Sequence, residues 1–98
     1  MAADPPLGEV YQTFAALGDP TRLALLLKLS AGTPLSITRL SRDARISRQA
    51  VTKHLHVLQA AGLVRGVARG RENLFKLEPA RLEEARRTLE LVSRQWDD

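Results

Sequence analysis

The sequence predicts a mainly α fold carrying one small β-hairpin, and three observations specify it. Two serine-capped helical segments, joined by a tight turn, span residues 36–61, and the second is the longer and more basic. The hydrophobic period then shortens on either side of a glycine-centred tip, Arg69-Gly70-Arg71-Glu72, as it does in a hairpin. Helical spacing resumes after Pro79 and continues to Trp96. With two helices ahead of these features, the order is four helices, two strands and a fifth helix, which is a winged helix-turn-helix.

In the first helix Leu7, Val10, Phe14 and Leu17 alternate spacings of three and four and form one apolar stripe, which Gly18 ends. Asp19 and Pro20 restart the chain, the aspartate as N-cap and the proline at the first helical position. The run Leu23–Leu29 is almost wholly apolar, so the second helix is expected to be buried on most sides and to end by Gly32. Ser36 caps a short third helix with Ile37 and Leu40 facing inward, and Arg42-Asp43-Ala44-Arg45 is read as the turn out of it. Ser47 caps the fourth helix, which runs to Ala61 with Gly62 as its stop. Leu63–Ala68 and Asn73–Leu77 are the two wing strands. In the fifth helix Leu82, Ala85, Leu89, Val92 and Trp96 form a narrow seam suited to a partner helix.

A chain of 98 residues accommodates one domain, assigned to residues 7–98, with the polar, proline-containing residues 1–6 as a flexible tail. A core of this size commonly takes stability from a second subunit. There is no cysteine, which excludes disulfides, thiolate metal sites and thiol catalysis. No apolar run is long enough to span a bilayer and no signal peptide is recognisable, so a soluble, cytoplasmic protein without membrane partners is expected. Charge is unevenly placed. Residues 36–76 hold nine basic side chains against Asp43 and Glu72, a net +7, while 1–35 sum to −1 and 77–98 to −2. That distribution fits a polyanion-binding surface, and equally a solvated arginine-rich face.

Helical geometry narrows the choice. At about 100° per residue, Arg48, Gln49, Thr52, Lys53 and His56 share one face of the fourth helix, while Val51, Leu55 and Leu58 occupy the opposite one. Arginine and lysine donate to guanine O6 and N7, glutamine pairs with adenine, and threonine touches the thymine methyl. No Asp or Glu occurs from Ile46 to Gly70, whereas solvated faces mix signs. Ser47 and the free first-turn N–H groups suit a phosphate oxygen. The candidate contacts to double-stranded DNA are Ser36, Ser47, Arg48, Gln49, Thr52, Lys53, His56, Arg65, Arg69 and Arg71. The candidate dimer contacts are Leu7, Val10, Phe14, Leu17, Leu82, Ala85, Leu89, Val92 and Trp96.

Four stretches carry a family resemblance: Phe14-Ala-Ala-Leu-Gly-Asp-Pro-Thr-Arg-Leu23, Ser47-Arg-Gln-Ala-Val-Thr-Lys-His-Leu-His-Val-Leu58, Ala61-Gly-Leu-Val64 and Gly70-Arg-Glu-Asn-Leu-Phe-Lys-Leu77. In this order they resemble the ArsR-type, arsenic-repressor-like, winged helix-turn-helix regulators. The resemblance implies a homodimer joined by its first and last helices, which binds an inverted repeat and represses transcription, often of its own gene. Metal-sensing members carry a Cys-x-Cys pair on the third helix, where this chain has Ser36 and Thr38. Others bind zinc through histidine and acids on the last helix, which here lacks histidine. The chain is most similar to the cysteine-free branch, whose last helix usually extends further beyond the tryptophan, so it would be a short or trimmed member.

His54 and His56 do not form a metal pair. Residues two apart on a helix point about 160° from each other. His54 lies beside the core face, where a structural hydrogen bond is expected, and His56 lies on the DNA-facing side. No metal, cofactor or enzymatic activity is expected: there is no glycine-rich phosphate loop, and Glu83 and Glu84 sit on a charged helical face. The inducer, a protein or a small molecule, is not encoded legibly. The competing reading is a winged-helix protein-interaction module that binds nucleic acid weakly.

Overall fold

The computed structural model describes residues 7–97, with side chains for 10–94, so the expected tail at 1–6 lies outside the described residues. Five helices and three short strands follow in the order α1 (Leu7–Leu17), α2 (Pro20–Leu29), β1 (Leu35–Ser36), α3 (Ile37–Ala44), α4 (Arg48–Ala60), β2 (Val64–Arg69), β3 (Glu72–Leu77) and α5 (Pro79–Asp97). The sheet is antiparallel with strand order β1-β3-β2. The core lies beneath α2, α3, α4 and the sheet, where Leu25, Leu29, Leu40, Val51, Leu55, Leu58 and Leu63 are fully buried.

The turn between α1 and α2 is built from its charged residues. Asp19 accepts the N–H groups of Thr21 and Arg22 at 2.9 and 3.0 Å, satisfying two orphan donors of α2. Arg22 reaches back and donates Nε to the Ala16 carbonyl at 2.6 Å, closing the C-terminus of α1. At the far end of α4, Leu63 N–H bonds the Leu58 carbonyl and Gly62 N–H bonds that of Gln59, both at 2.9 Å. Gly62 at φ +76° makes this reversal without a Cβ penalty, as a Schellman stop requires.

Three expectations need correction. α2 is not buried on most sides: Leu25, Leu26 and Leu29 face the core, but Leu23, Ala24 and Leu27 are exposed, Leu27 at 67%. Its apolar residues are continuous in sequence, and only one stripe of them meets α3 and α4. The segment Arg42–Ala44 is not the turn, because α3 continues to Ala44 and the reversal falls on Arg45, at φ +57°. Finally, the wing is not a lone hairpin. β1 adds a third strand, with Leu35 opposite Phe75 and Ser36 opposite Leu74. Two residues are too few to show a period of two, so only the pairing reveals the strand.

Candidate nucleic-acid interface

The candidate interface is assembled from α3, the turn after it, α4 and the wing. Ser36 ends β1 and also caps α3, accepting the Arg39 N–H at 3.1 Å. The start of α3 is thereby fastened to the wing strand β3. The turn is closed by Ile46 N–H on the Ser41 carbonyl at 3.3 Å and by the Ser41 hydroxyl on the Ile46 carbonyl at 2.5 Å. Ser47 then caps α4 through Ala50 N–H at 3.0 Å. Because Val51, Leu55 and Leu58 are fixed in the core, the opposite side of α4 must face outward. Arg48, Gln49, Lys53 and His56 are exposed there and Thr52 is half-buried.

The wing places its cations differently. β2 and β3 pair from Val64↔Leu77 to Arg69↔Glu72, leaving Gly70-Arg71 as a two-residue turn. Gly70 at φ +63° supplies the positive dihedral such a hairpin demands at its first central position. Arg71 stands on one wall of a cleft of about 580 Å³, lined also by Ser36, Ile37, Thr38, Arg39, Arg42, Arg48, Glu72 and Asn73. Four arginines from α3, α4 and the wing thus line one cleft, with Glu72 the single acid in its lining. Among the described residues no acid pairs with Arg42, Arg48 or Arg71. Arg39 donates Nε to Asp43 at 3.2 Å and Lys28 lies 3.6 Å from the same carboxylate. The Arg39 hydrogen bond, with both cations beside it, holds Asp43 below the usual aspartate range.

Of the ten candidate contacts, the structure therefore gathers Ser36, Arg48 and Arg71 in one cleft, with Gln49 and Thr52 beside it. Lys53 and His56 lie further along α4, exposed. Arg69 is exposed on β2, opposite Glu72. Arg65 forms an ion pair with Glu78 at 2.5 Å, so its charge is partly answered within the chain. Arg39, Arg42 and Asn73 were not among the candidates. Arg39 and Arg42 are three residues apart, and a helical reading through Ala44 would have set them on one face.

The remaining predicted residues divide along the length of α1 and α5, which pack together. Val10 and Ala85 are already buried within one chain, Phe14 is half-buried, and Leu17 and Leu82 rest on the core. Leu89 and Val92 are exposed at 55% and 60%, with Leu91 and Tyr11 also uncovered. The side chains of Leu7 and Trp96 lie outside the described residues. His54 is half-buried, with Nδ1 4.0 Å from the Asp19 carboxylate. The backbone N–H of Arg22, then the charges of Arg22 and His54, lower the Asp19 carboxyl from its usual range. Among the described residues no three His, Asp or Glu side chains gather closely enough to hold a metal ion, and no helix is long and apolar enough to cross a membrane.

Comparison with known proteins agrees with this architecture. Residues 17–67 match a family model described as a helix-turn-helix domain. An ArsR-like transcriptional regulator from Rhodococcus sp. RHA1 is 41% identical, the match covering 93% of this chain and 85% of that one with a TM-score of 0.80. The HTH-type transcriptional regulator Rv2034 of Mycobacterium tuberculosis is 38% identical over 79 residues, 81% of this chain and 73% of that protein. The homodimeric winged helix-turn-helix DNA-binding domain of Mb0332 from Mycobacterium bovis is 22% identical, covers 99% of this chain and 91% of its own, and has a TM-score of 0.70, which speaks to fold alone.

Proposed function

This chain belongs to the ArsR-type winged helix-turn-helix transcriptional regulators, and from that premise we propose that it is a homodimeric repressor, acting in the cytoplasm, that reads an inverted repeat in double-stranded DNA. In this reading α4 lies in the major groove, and the wing reaches the neighbouring minor groove or backbone. The observation that carries it is the cleft where Arg39, Arg42, Arg48 and Arg71 meet beside the acid-free face of α4. A phosphate strand running between wing and α3 would neutralise those cations, while Gln49, Thr52 and Arg48 approach base edges. Backbone contacts of this kind position the protein and the α4 side chains discriminate sequence.

The dimer is proposed from the outer parts of α1 and α5. Leu89, Leu91, Val92 and Tyr11 leave an apolar surface that α1 and α5 of one chain do not cover. A two-fold partner would cover it with its own copy, setting the two reading helices about one helical turn of DNA, or a multiple, apart. Regulation through a thiolate-bound metal is unavailable to a chain without cysteine, and Ser36, at one of the positions of the family's Cys-x-Cys pair, caps α3 instead. Release from DNA is assigned to a protein partner or to dilution of an autoregulated product.

The test is binding to the DNA upstream of the protein's own gene against random duplex at a stated salt concentration. A repressor prefers the former by about 10³ or more. Equal affinity for both would reduce the protein to a non-specific nucleic-acid binder.

A further inference from the structure

Beside the basic cleft, α3 and α4 enclose a second, open depression of about 430 Å³, lined by Ile37, Arg48, Gln49 and Thr52. Its walls are mostly carbon, which is unusual for a face that otherwise presents cations and amides. Thr52 explains part of this. Its hydroxyl donates to the Arg48 carbonyl one turn earlier, at 2.8 Å, so its only proton is taken and it has its methyl and an acceptor oxygen left to offer. Ile37, the first residue of α3, is half-buried and brings carbon from the other helix. Arg48 and Gln49 line the same depression, and both side chains carry hydrogen-bonding ends.

We propose that this depression is a 5-methylpyrimidine subsite, which receives the C5 methyl of a base in the major groove while Gln49 or Arg48 hydrogen-bonds the adjacent base. The inference rests on the proposed placement of α4 in the major groove. The major groove displays one apolar group, the methyl at pyrimidine C5, and a carbon-lined recess on a groove-facing helix pair is complementary to it. With its hydroxyl proton held by the helix backbone, Thr52 cannot donate to a base, and in this subsite it acts through its methyl. Its partner in that contact, Ile37, belongs to the helix usually counted as support for the reading helix, so α3 takes part in sequence discrimination. The volume admits the methyl-bearing edge of a base pair, not a methyl alone. The chemistry is shared by thymine and 5-methylcytosine, and the experiment separates them.

Selection from a random duplex pool with the unmodified protein supplies its preferred site. In that site each thymine is replaced in turn by deoxyuridine, which differs only by the methyl, and affinity is read by fluorescence anisotropy at fixed salt. At the subsite position, duplexes carrying thymine, cytosine and 5-methylcytosine against the matching purine are also compared. One pyrimidine per half-site should lose about four-fold in affinity when its methyl is removed, the loss for one buried methyl group. Tightest binding to thymine would identify thymine as the source, and tightest binding to 5-methylcytosine would identify the modified base. Thr52→Ser keeps the hydroxyl bond and removes the methyl, and should abolish the methyl dependence. Thr52→Val keeps methyls and should retain it. A site that is selected reproducibly but shows no methyl dependence at any pyrimidine would overturn the subsite while leaving the DNA-reading function intact, as would an undiminished dependence in Thr52→Ser. Failure to select any sequence would overturn both.

Discussion

Replacing Arg42 and Arg71 together by alanine removes one cation from each wall of the cleft between α3 and the wing. Neither is paired with an acid among the described residues, so each has its full charge available for a phosphate. Neutralising one phosphate of duplex DNA contributes about −0.9 to the slope of log affinity against log salt. Two contacts in each of two subunits then amount to about 3.6 units of slope. Over a two-fold rise in salt the native protein should lose about twelve-fold more affinity than the double variant, by the same relation. The assay is anisotropy with the operator and with random duplex across a salt series. Arg86→Ala serves as the control, because Arg86 is held by Glu83 and Glu90 on the outer face of α5, far along the chain from the cleft. The slope should flatten on both DNAs in the double variant and stay unchanged in the control. An unchanged slope in the double variant would show that neither Arg42 nor Arg71 neutralises a phosphate, and an equal flattening in the control would reduce the effect to net charge.

Other outcomes follow from single contacts. Gln49→Ala should cost about 1–3 kcal/mol on the operator and much less on random DNA, and equal losses in a titration of both would make Gln49 a backbone contact. Ser47→Ala removes the acceptor of Ala50 N–H and should lower stability by about 1 kcal/mol in urea denaturation without shifting the oligomeric state. Leu89→Arg should yield monomers in sedimentation and abolish operator binding, because it charges the exposed part of α5; a dimer that persists would move the interface elsewhere. Asp19 has a folded pKa below its unfolded one, so its contribution is complete above about pH 4 and is lost as pH falls through the lower folded value. Asp19→Asn should therefore narrow the difference in unfolding midpoint between pH 6 and pH 2.5.

Elements with a complete local grammar were legible in the sequence. Asp19-Pro20, Ser36, Ser47 and Gly62 are cap and stop residues whose side-chain or backbone chemistry acts over two to four positions, and each takes its expected place. The face of α4 was legible for the same reason: three buried apolar residues at helical spacing fix where the other five point. What failed depended on partners distant in sequence. β1 exists because Leu35 and Ser36 meet β3 some forty positions later, the register being Leu35↔Phe75. The exposure of Leu23 and Leu27 follows from how much of α2 its neighbours can cover, which composition does not reveal. Arg45 ends α3 in a left-handed conformation that glycine or asparagine would have announced, so the sequence alone sets the turn three residues early and leaves Arg42 outside the helix that holds Arg39.

The same local contacts connect the proposed dimer surface to the reading face. Arg22 on α2 closes the last turn of α1 through the Ala16 carbonyl at 2.6 Å, and Asp19 closes the first turn of α2. The carboxylate of Asp19 also lies 4.0 Å from His54, which stands on α4 between the core and the exposed polar face. One short turn, Gly18-Asp19-Pro20, thus joins α1 to α2 and lies against α4. A change of angle between the two α1–α5 surfaces of a dimer would therefore carry the α4 helices with it instead of being absorbed by a flexible joint. In the proposed dimer half-site spacing would follow those angles, so a change at the seam would weaken operator binding without touching the outward face of α4. In that proposal Tyr11, Leu89 and Val92, which one chain leaves exposed, lie in the seam itself.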